Sequence, residues 1–428
     1  MWQQSGVIHR QSEPTNGRPA SARRGVLFTA FEPSGDDHAS VVIAELKRRA
    51  PDVPVYAWGG PRMERAGATV IERTGEAAVV GVPGVGKILE HVRINRRVED
   101  WLDKNPVALH VPVDAPDANF AICAMARRRG ARVMHLVAPQ LWAWREGRIR
   151  RLRALTNLVL CVLPFEEQWF LSRGVPARFV GHPLFETPLD EAALDAVAAG
   201  FGDGSPKIAL MPGSRPGEIK RSFPPLLDAY RQIRRDFPRT RAVIACTKPE
   251  VEAFLRRSAQ RLGGWPEGLL TAVDQTDAVI RWCDLAVVAS GTVTLQVAKQ
   301  AKPMVTFYRL SQLYRVLHTL IGRWLITTDL FTLPNLIAGK RIVTELVPHF
   351  GDGHELAVGV YRLLRQPGLA EQQRQELLAV TRKFQGRRAG ILSADAILEM
   401  LGVSPAASAA PPSTPPSPPT AAAAAQPA

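Results

Sequence analysis

The sequence predicts an α/β protein with two doubly wound, Rossmann-like parallel-sheet domains facing a cleft. Three observations carry that prediction. Short apolar runs alternate with helical patterns, the signature of βαβ units. A chain of 428 residues exceeds one ordinary core. The alternation pauses after Gly181-His182-Pro183-Leu184, in an Asp/Ala-rich stretch, and resumes at Lys207. The expected division is a basic tail over 1–24, a first domain over 25–185 and a second over 186–370. Closing helices over 371–401 and a Pro/Ala tail over 402–428 complete it.

The elements follow in order. Val26–Ala30 reads as a first strand, ending in the turn Phe31-Glu32-Pro33-Ser34-Gly35-Asp36-Asp37. A helix with Val41, Val42 and Leu46 at helical spacing comes next. Val53–Trp58 is a second strand, closed by Gly59-Gly60-Pro61, and Ile88–Leu102 is helical. Val107–Val113 is a strand ending at Asp114, followed by a helix over 118–129 and a strand over Val133–Val137. Strand Leu158–Leu163 and helix 165–173 complete the first series. The second series has strands over 207–211, 241–246, 269–273, 284–288 and 303–306, joined by helical segments. Leu310–Phe331 carries a large apolar face with Arg315, His318 and Arg323 at its margin. It reads either as an interfacial helix or as a helix packed on its own core.

Composition excludes several classes. Hydrophobic residues make up 46% and charged residues 22%, as in globular proteins. No run of about 20 uncharged apolar residues predicts a membrane span. Residues 1–24, with Arg10, Arg18, Arg23 and Arg24, lack the apolar centre of a secretory signal. Cys123, Cys161, Cys246 and Cys283 form no CxxC pair and no metal spacing. Cys161 and Cys246, set among apolar neighbours, read as buried thiols, which fits a reducing cytosol, and no metal is expected. The net charge of +14 points to an anionic partner: nucleic acid, a phosphorylated substrate or a membrane surface. Arg145, Arg148, Arg150, Arg151 and Arg153 form the one dense basic cluster, which is equally a solvated helix face. No zinc-finger or RNA-binding signature accompanies it, so no nucleic-acid partner is expected.

The chemistry concentrates in turns that follow strands. Met211-Pro212-Gly213-Ser214-Arg215 breaks a buried strand, and from Glu218 the pattern is helical. Free backbone N–H groups at a helix start can receive an anion, and the Arg215 guanidinium suits phosphate. An ordinary strand-to-helix turn with a surface Arg is the other reading. Ser290-Gly291-Thr292 is a second such turn. Two in one domain fit a diphosphate better than one phosphate. Gln296, one turn further on, can reach a ribose or simply face solvent. Asp114 directly follows a buried strand, where a carboxylate can take a proton from an attacking hydroxyl. The competing role is a helix cap, for which Asp117 is better placed. His182 is a proton carrier or a hinge residue. No HExxH, GxSxG or P-loop pattern occurs.

Nine motifs occur collinearly over residues 26–345: FEPSGD at 31–36, GGPRM at 59–63, VDAPDAN at 113–119, PQLWAWR at 139–145, LPFE at 163–166, FVGHPL at 179–184, MPGSR at 211–215, SGTVTLQ at 290–296 and LPNLIAG at 333–339. On these the chain resembles the lipid-A-disaccharide synthase family, glycosyltransferases of the two-domain GT-B fold. The resemblance implies inverting transfer of 2,3-diacylglucosamine from its UDP donor to 2,3-diacylglucosamine 1-phosphate. The products would be the β(1→6) disaccharide 1-phosphate and UDP. It implies Asp114 as the base for the acceptor 6-hydroxyl. Ser214, Arg215, Ser290, Gly291, Thr292 and Gln296 would hold the UDP donor, and Glu32, Ser34 and Asp36 would lie on the acceptor side. No cofactor is implied. Acylated substrates give the basic surface and Leu310–Phe331 a purpose at an anionic bilayer, which implies a cytoplasmic protein peripheral to the inner face of the cytoplasmic membrane.

The sequence departs from the family at four places. Phe31 stands where Gly is usual, Ala138 where Ser is usual, and Gln296 and Gly84 where carboxylates are usual. Replacing a ribose-binding carboxylate by an amide costs about 1–2 kcal/mol of charge-assisted strength. Two further readings therefore stand beside the first. One is a related GT-B enzyme acting on another UDP-N-acetylhexosamine or acceptor. The other is a non-catalytic sugar-nucleotide or lipid-binding homologue.

Overall fold

The computed structural model describes residues 25–74, 85–143, 146–309 and 328–404. Within them the apolar runs pair into two sheets, every strand pair parallel. The first sheet is built from β1 (Val26–Ala30), β2 (Val55–Gly59), β3 (Thr69–Arg73), β4 (Leu109–Val113), β5 (Arg132–Leu136), β6 (Leu158–Cys161) and β7 (Ala177–Phe179). Its spatial order is β3-β2-β1-β4-β5-β6-β7. The second contains β8 (Lys207–Met211), β9 (Arg241–Cys246), β10 (Leu269–Val273), β11 (Leu285–Ala289), β12 (Met304–Phe307) and β13 (Thr344–Leu346). Its order is β10-β9-β8-β11-β12-β13. Both orders reverse direction once, between β1 and β4 and between β8 and β11. Ligands of open α/β sheets bind at such switch points, beyond the carboxyl ends of the strands.

The central strands β1, β4 and β11 are buried along their whole length. Strands covered on both faces read as continuous apolar runs, and these do. The short edge strands β3, β7 and β13 went unrecognised in the sequence. Their residues are mostly half-buried or exposed, so no apolar run marks them.

Helices cover both faces: α1 (Pro33–Arg49), α2 (Pro61–Arg65), α3 (Val85–Lys104), α4 (Pro116–Arg128), α5 (Ile149–Leu155), α6 (Glu166–Leu171), α7 (Glu191–Ala199), α8 (Pro216–Asp236), α9 (Pro249–Arg261), α10 (Thr276–Trp282) and α11 (Val293–Lys299). The chain closes with α12 (Leu333–Ala338), α13 (His354–Arg365), α14 (Pro367–Arg382) and α15 (Ala389–Leu401). Helices α1, α2, α4, α8 and α9 each begin on proline. Proline there loses only an N–H that has no intrahelical acceptor, and its fixed φ suits the helix. This corrects two expectations. The motif 31–37 is not a turn ahead of a helix, because Pro33 already starts α1; the second helical pattern starts at Pro216 rather than Glu218.

The Asp/Ala-rich stretch after the first sheet holds α7, which Arg281 of α10 ties down through Glu191 at 3.0 Å and Asp195 at 2.7 Å. The last helix, α15, returns to the first sheet. Its Ala394, Ala396, Ile397 and Leu398 join the core formed by α1 and β1, and Asp395 pairs with Arg49 at 2.5 Å. A separate apolar cluster unites Trp142, Leu163 and Phe179 with Leu295, Ile337, Val380 and Phe384. It packs the two units together. All four cysteines are buried and free. Among the described residues no helix is long and apolar enough to cross a membrane. Residues 1–24, 310–327 and 405–428 fall outside the described residues, and with them the two tails and most of Leu310–Phe331. Gly84 and Arg145 lie outside as well.

Candidate active site

Four loops leave the carboxyl ends of the strands that flank the two switch points. The loop after β1 carries Glu32, and the first turn of α1 that follows it carries Ser34 and Asp36; the loop after β4 carries Asp114. The loop after β8 carries Ser214 and Arg215, and the loop after β11 carries Ser290, Gly291 and Thr292. Residues scattered over 260 positions of sequence thus face two adjoining crevices for one topological reason.

The two units touch at the site itself. Arg215 Nη2 lies 3.6 Å from Glu32 Oε2, both side chains about half exposed. An ion pair this open contributes at most about 1 kcal/mol, so the guanidinium exchanges partners readily. Asp114 lies beside this pair. Its proton affinity is raised to about pKa 6, chiefly by burial, then by the Glu32 carboxylate, while Arg215 pulls it down. A carboxylate tuned toward neutrality is suited to general-base work near pH 7.

The backbone at Asp114 is strained. Asp114 has φ 45° and Ala115 has φ 39°, two successive left-handed residues without a glycine. Each costs on the order of 1–2 kcal/mol, and such strain persists only where the surroundings impose it. The Asp114 N–H donates to the Leu136 carbonyl at 3.0 Å, and the Asp114 carbonyl accepts from Asn119 Nδ2 at 2.9 Å. Asp117 does not cap α4, which has no side-chain cap. It instead pairs with Arg148 at 2.6 Å, which accounts for one member of the basic cluster.

Asp36 is buried, and its two oxygens accept from Arg62 N at 3.0 Å and Met63 N at 2.9 Å. That carboxylate fastens GGPRM to the first loop. A Cβ on Gly60 would collide with it, which explains the glycine. Ser34 is exposed at the start of α1.

On the facing unit, Arg215 is the N-cap residue of α8, and the helix begins Pro216-Gly217-Glu218. The Glu218 carboxylate turns back onto the loop before α8, against Gly213. Burial raises the proton affinity of that carboxyl, and Arg215, followed by the Ser214 and Arg215 backbone beside it, opposes the rise. Gly213, at φ 101°, leaves the room it needs. Of the two groups that the sequence offers to a phosphate, the guanidinium pairs with Glu32 and the amides lie beside the Glu218 carboxylate. Gly291 and Thr292 are exposed, a Cβ at Gly291 would meet nothing within 4 Å, and Gln296 is half-buried in α11.

Glu166, the last residue of LPFE, carries no signal of its role in the sequence. Glu166 is 1% exposed and accepts from Trp142 Nε1 at 3.1 Å and Leu163 N at 3.0 Å. Burial pushes its carboxyl to about 7, and Asp114 adds to the rise. It fixes Trp142 to the end of β6. Asn335, in LPNLIAG, is fully buried and bonds the backbone of Ile342 and Val343. His182 stays neutral: burial drives its pKa to about 3, and its Nδ1 accepts from Leu184 N at 3.2 Å. It packs against the His38 ring at 5.3 Å, a contact suited to a junction rather than to carrying protons. Among the described residues no cluster of three or more His, Cys, Asp or Glu could hold a metal ion.

Two doubly wound sheets meeting at facing switch points define the GT-B architecture. Solved structures share it: the UDP complex of S. aureus MnaA has a TM-score of 0.60 at 12% identity, covering 89% of this chain and 98% of that one. The glycotransferase of kitacinnamycin has a TM-score of 0.59 at 15% identity, covering 89% and 99%. A model of the lipid-A-disaccharide synthetase family matches residues 26–392. The lipid-A-disaccharide synthase of Geobacter sulfurreducens is 33% identical over 384 residues, 88% of this chain and 97% of that protein. The chain belongs to the lipid-A-disaccharide synthase family.

Proposed function

We propose that the protein is a UDP-sugar-dependent glycosyltransferase that makes the lipid A disaccharide. It transfers 2,3-diacylglucosamine from its UDP donor to the 6-hydroxyl of 2,3-diacylglucosamine 1-phosphate. The observation that carries this reading is the convergence of Asp114, Glu32 and Arg215 from two units onto one place. The Asp114 carboxylate takes the proton of the acceptor hydroxyl as its oxygen attacks the anomeric carbon. The bond from that carbon to the β-phosphate oxygen breaks, and UDP leaves with the electron pair. Attack opposite the leaving group inverts the centre. Arg215 abandons Glu32 for the diphosphate, where Ser214, Ser290, Gly291 and Thr292 add donors to the developing charge. Gln296 contacts the donor ribose through its amide. Glu32 and Ser34 border the acceptor, and Asp36 holds their loop in place.

Both substrates carry acyl chains, so the enzyme works at the inner face of the cytoplasmic membrane. The basic surface and the amphipathic pattern of Leu310–Phe331 supply the attachment. The test is release of UDP and formation of disaccharide 1-phosphate by purified protein given both acylated substrates and anionic vesicles. Turnover of an unacylated UDP-N-acetylhexosamine in preference to the acylated donor would overturn the substrate assignment. UDP binding without turnover of any donor would overturn the catalytic one.

A further inference from the structure

Beneath Asp114 lies a polar chain that the reaction as described does not use. Thr29 sits within β1, His110 within β4 and Asn119 within α4, and all three side chains are fully buried. Thr29 Oγ1 is 2.8 Å from His110 Nε2 and 2.6 Å from Asn119 Oδ1. Asn119 Nδ2 faces two carbonyls, Asp114 at 2.9 Å and Val113 at 3.4 Å.

The direction of the chain follows from donor counting. Only an NH2 group can face two carbonyls, so the other Asn119 atom is an acceptor. The single Thr29 hydroxyl proton must go to it. Thr29 oxygen then accepts, and His110 must donate from Nε2. A neutral imidazole with its proton on Nε2 leaves Nδ1 bare, and His110 Nδ1 has no partner. Burial keeps this ring neutral. Every link is therefore fixed, from His110 through Thr29 and Asn119 to the Asp114 carbonyl. That carbonyl belongs to the first of the two left-handed residues.

We propose that Thr29, His110 and Asn119 are positioning residues for catalysis, a one-directional hydrogen-bond chain that locks the strained Asp114 peptide and so aims its carboxylate. This rests on Asp114 being the base. Misplacing a reacting group by about 1 Å costs on the order of a hundredfold in rate. A relaxed Asp114 loop would lower kcat and leave the donor side untouched.

The experiment compares Thr29→Val, which keeps the shape and removes the hydroxyl, with Thr29→Ser, which keeps the hydroxyl. Asn119→Ala and His110→Phe break the chain at its other links, and Asp114→Asn is the reference. Steady-state kcat and KM for the acylated donor are read beside UDP affinity, which reports that the second unit is folded. Thr29→Val should lower kcat about tenfold or more, with donor KM and UDP affinity within about twofold of wild type. Thr29→Ser should restore most of the rate, and Asn119→Ala should lose the most. Wild-type kcat in Thr29→Val, Asn119→Ala and His110→Phe, with Asp114→Asn inactive, overturns the positioning chain and leaves the base intact. Equal losses in Thr29→Ser and Thr29→Val also overturn it, since packing alone would then explain them. Full activity in Asp114→Asn overturns the base itself.

Discussion

The two switch points share a topology and differ in almost everything else. The first, between β1 and β4, is carboxylate-bearing and partly enclosed, with a strained backbone at Asp114 and a buried polar chain behind it. The second, between β8 and β11, is open, lined by Ser, Gly and Thr, and carries the cation Arg215. One crevice raises proton affinity and the other offers positive charge. A transfer reaction needs both, a base for the nucleophile and a stabiliser for the leaving group. In the proposed reaction the two sit on separate units and are coupled through Arg215, which pairs with Glu32 and lowers the proton affinity of Asp114.

The largest effect should come from the first crevice. Asp114→Asn is expected to lower kcat by about 10³-fold or more with UDP affinity unchanged, measured by product formation and calorimetry. Arg215→Ala should lower kcat/KM by about 10²–10³-fold and weaken UDP binding as well, which the Asp114 variant does not. Next comes pH. The base must be ionised, so kcat/KM should rise with pH and level off above the Asp114 pKa of about 6. Glu32 raises that pKa and Arg215 lowers it. Glu32→Gln should therefore move the acidic limb to lower pH, and Arg215→Ala should move it higher. Opposite movements in a pH profile would separate the two crevices electrostatically.

Two smaller effects sharpen the contrast. A carboxyl with a raised folded-state pKa favours folding when protonated, and that contribution fades as pH rises from 3.8 through about 6. At pH 8, Asp114→Asn should accordingly increase stability, by up to about 2–3 kcal/mol, in thermal or urea unfolding. On the other side, the Glu218 carboxylate lies against Gly213, beside the amides that a phosphate would use. Glu218→Gln should tighten UDP binding by about three- to tenfold; unchanged affinity would show that the diphosphate does not compete for those amides.

Much of this was legible in the sequence because parallel, doubly covered strands are continuous apolar runs and because ligand loops follow them. Asp114, Arg215 and Ser290 could be picked out simply as polar residues after a strand. The edge strand Thr69–Arg73 could not, since three of its five residues are exposed and Glu72 and Arg73 resemble a loop. The start of α1 was obscured by Pro33 and Gly35, which read as breakers although proline at a first helical position initiates. Thr29 and His110 were hidden inside apolar runs, where a polar residue looks like a strand exception. Their roles appear only when β1 and β4 lie side by side, 81 residues apart in sequence. Glu218 was hidden for the opposite reason: acidic residues are common in first turns, and only the fold shows its carboxylate turned back onto the loop.

The division of labour is tested most directly by one paired measurement, UDP affinity and single-turnover transfer in Asp114→Asn and Arg215→Ala. Asp114→Asn should bind UDP like wild type and not transfer, and Arg215→Ala should lose affinity and transfer together. Wild-type transfer by Asp114→Asn, or wild-type UDP affinity in Arg215→Ala, would contradict that division.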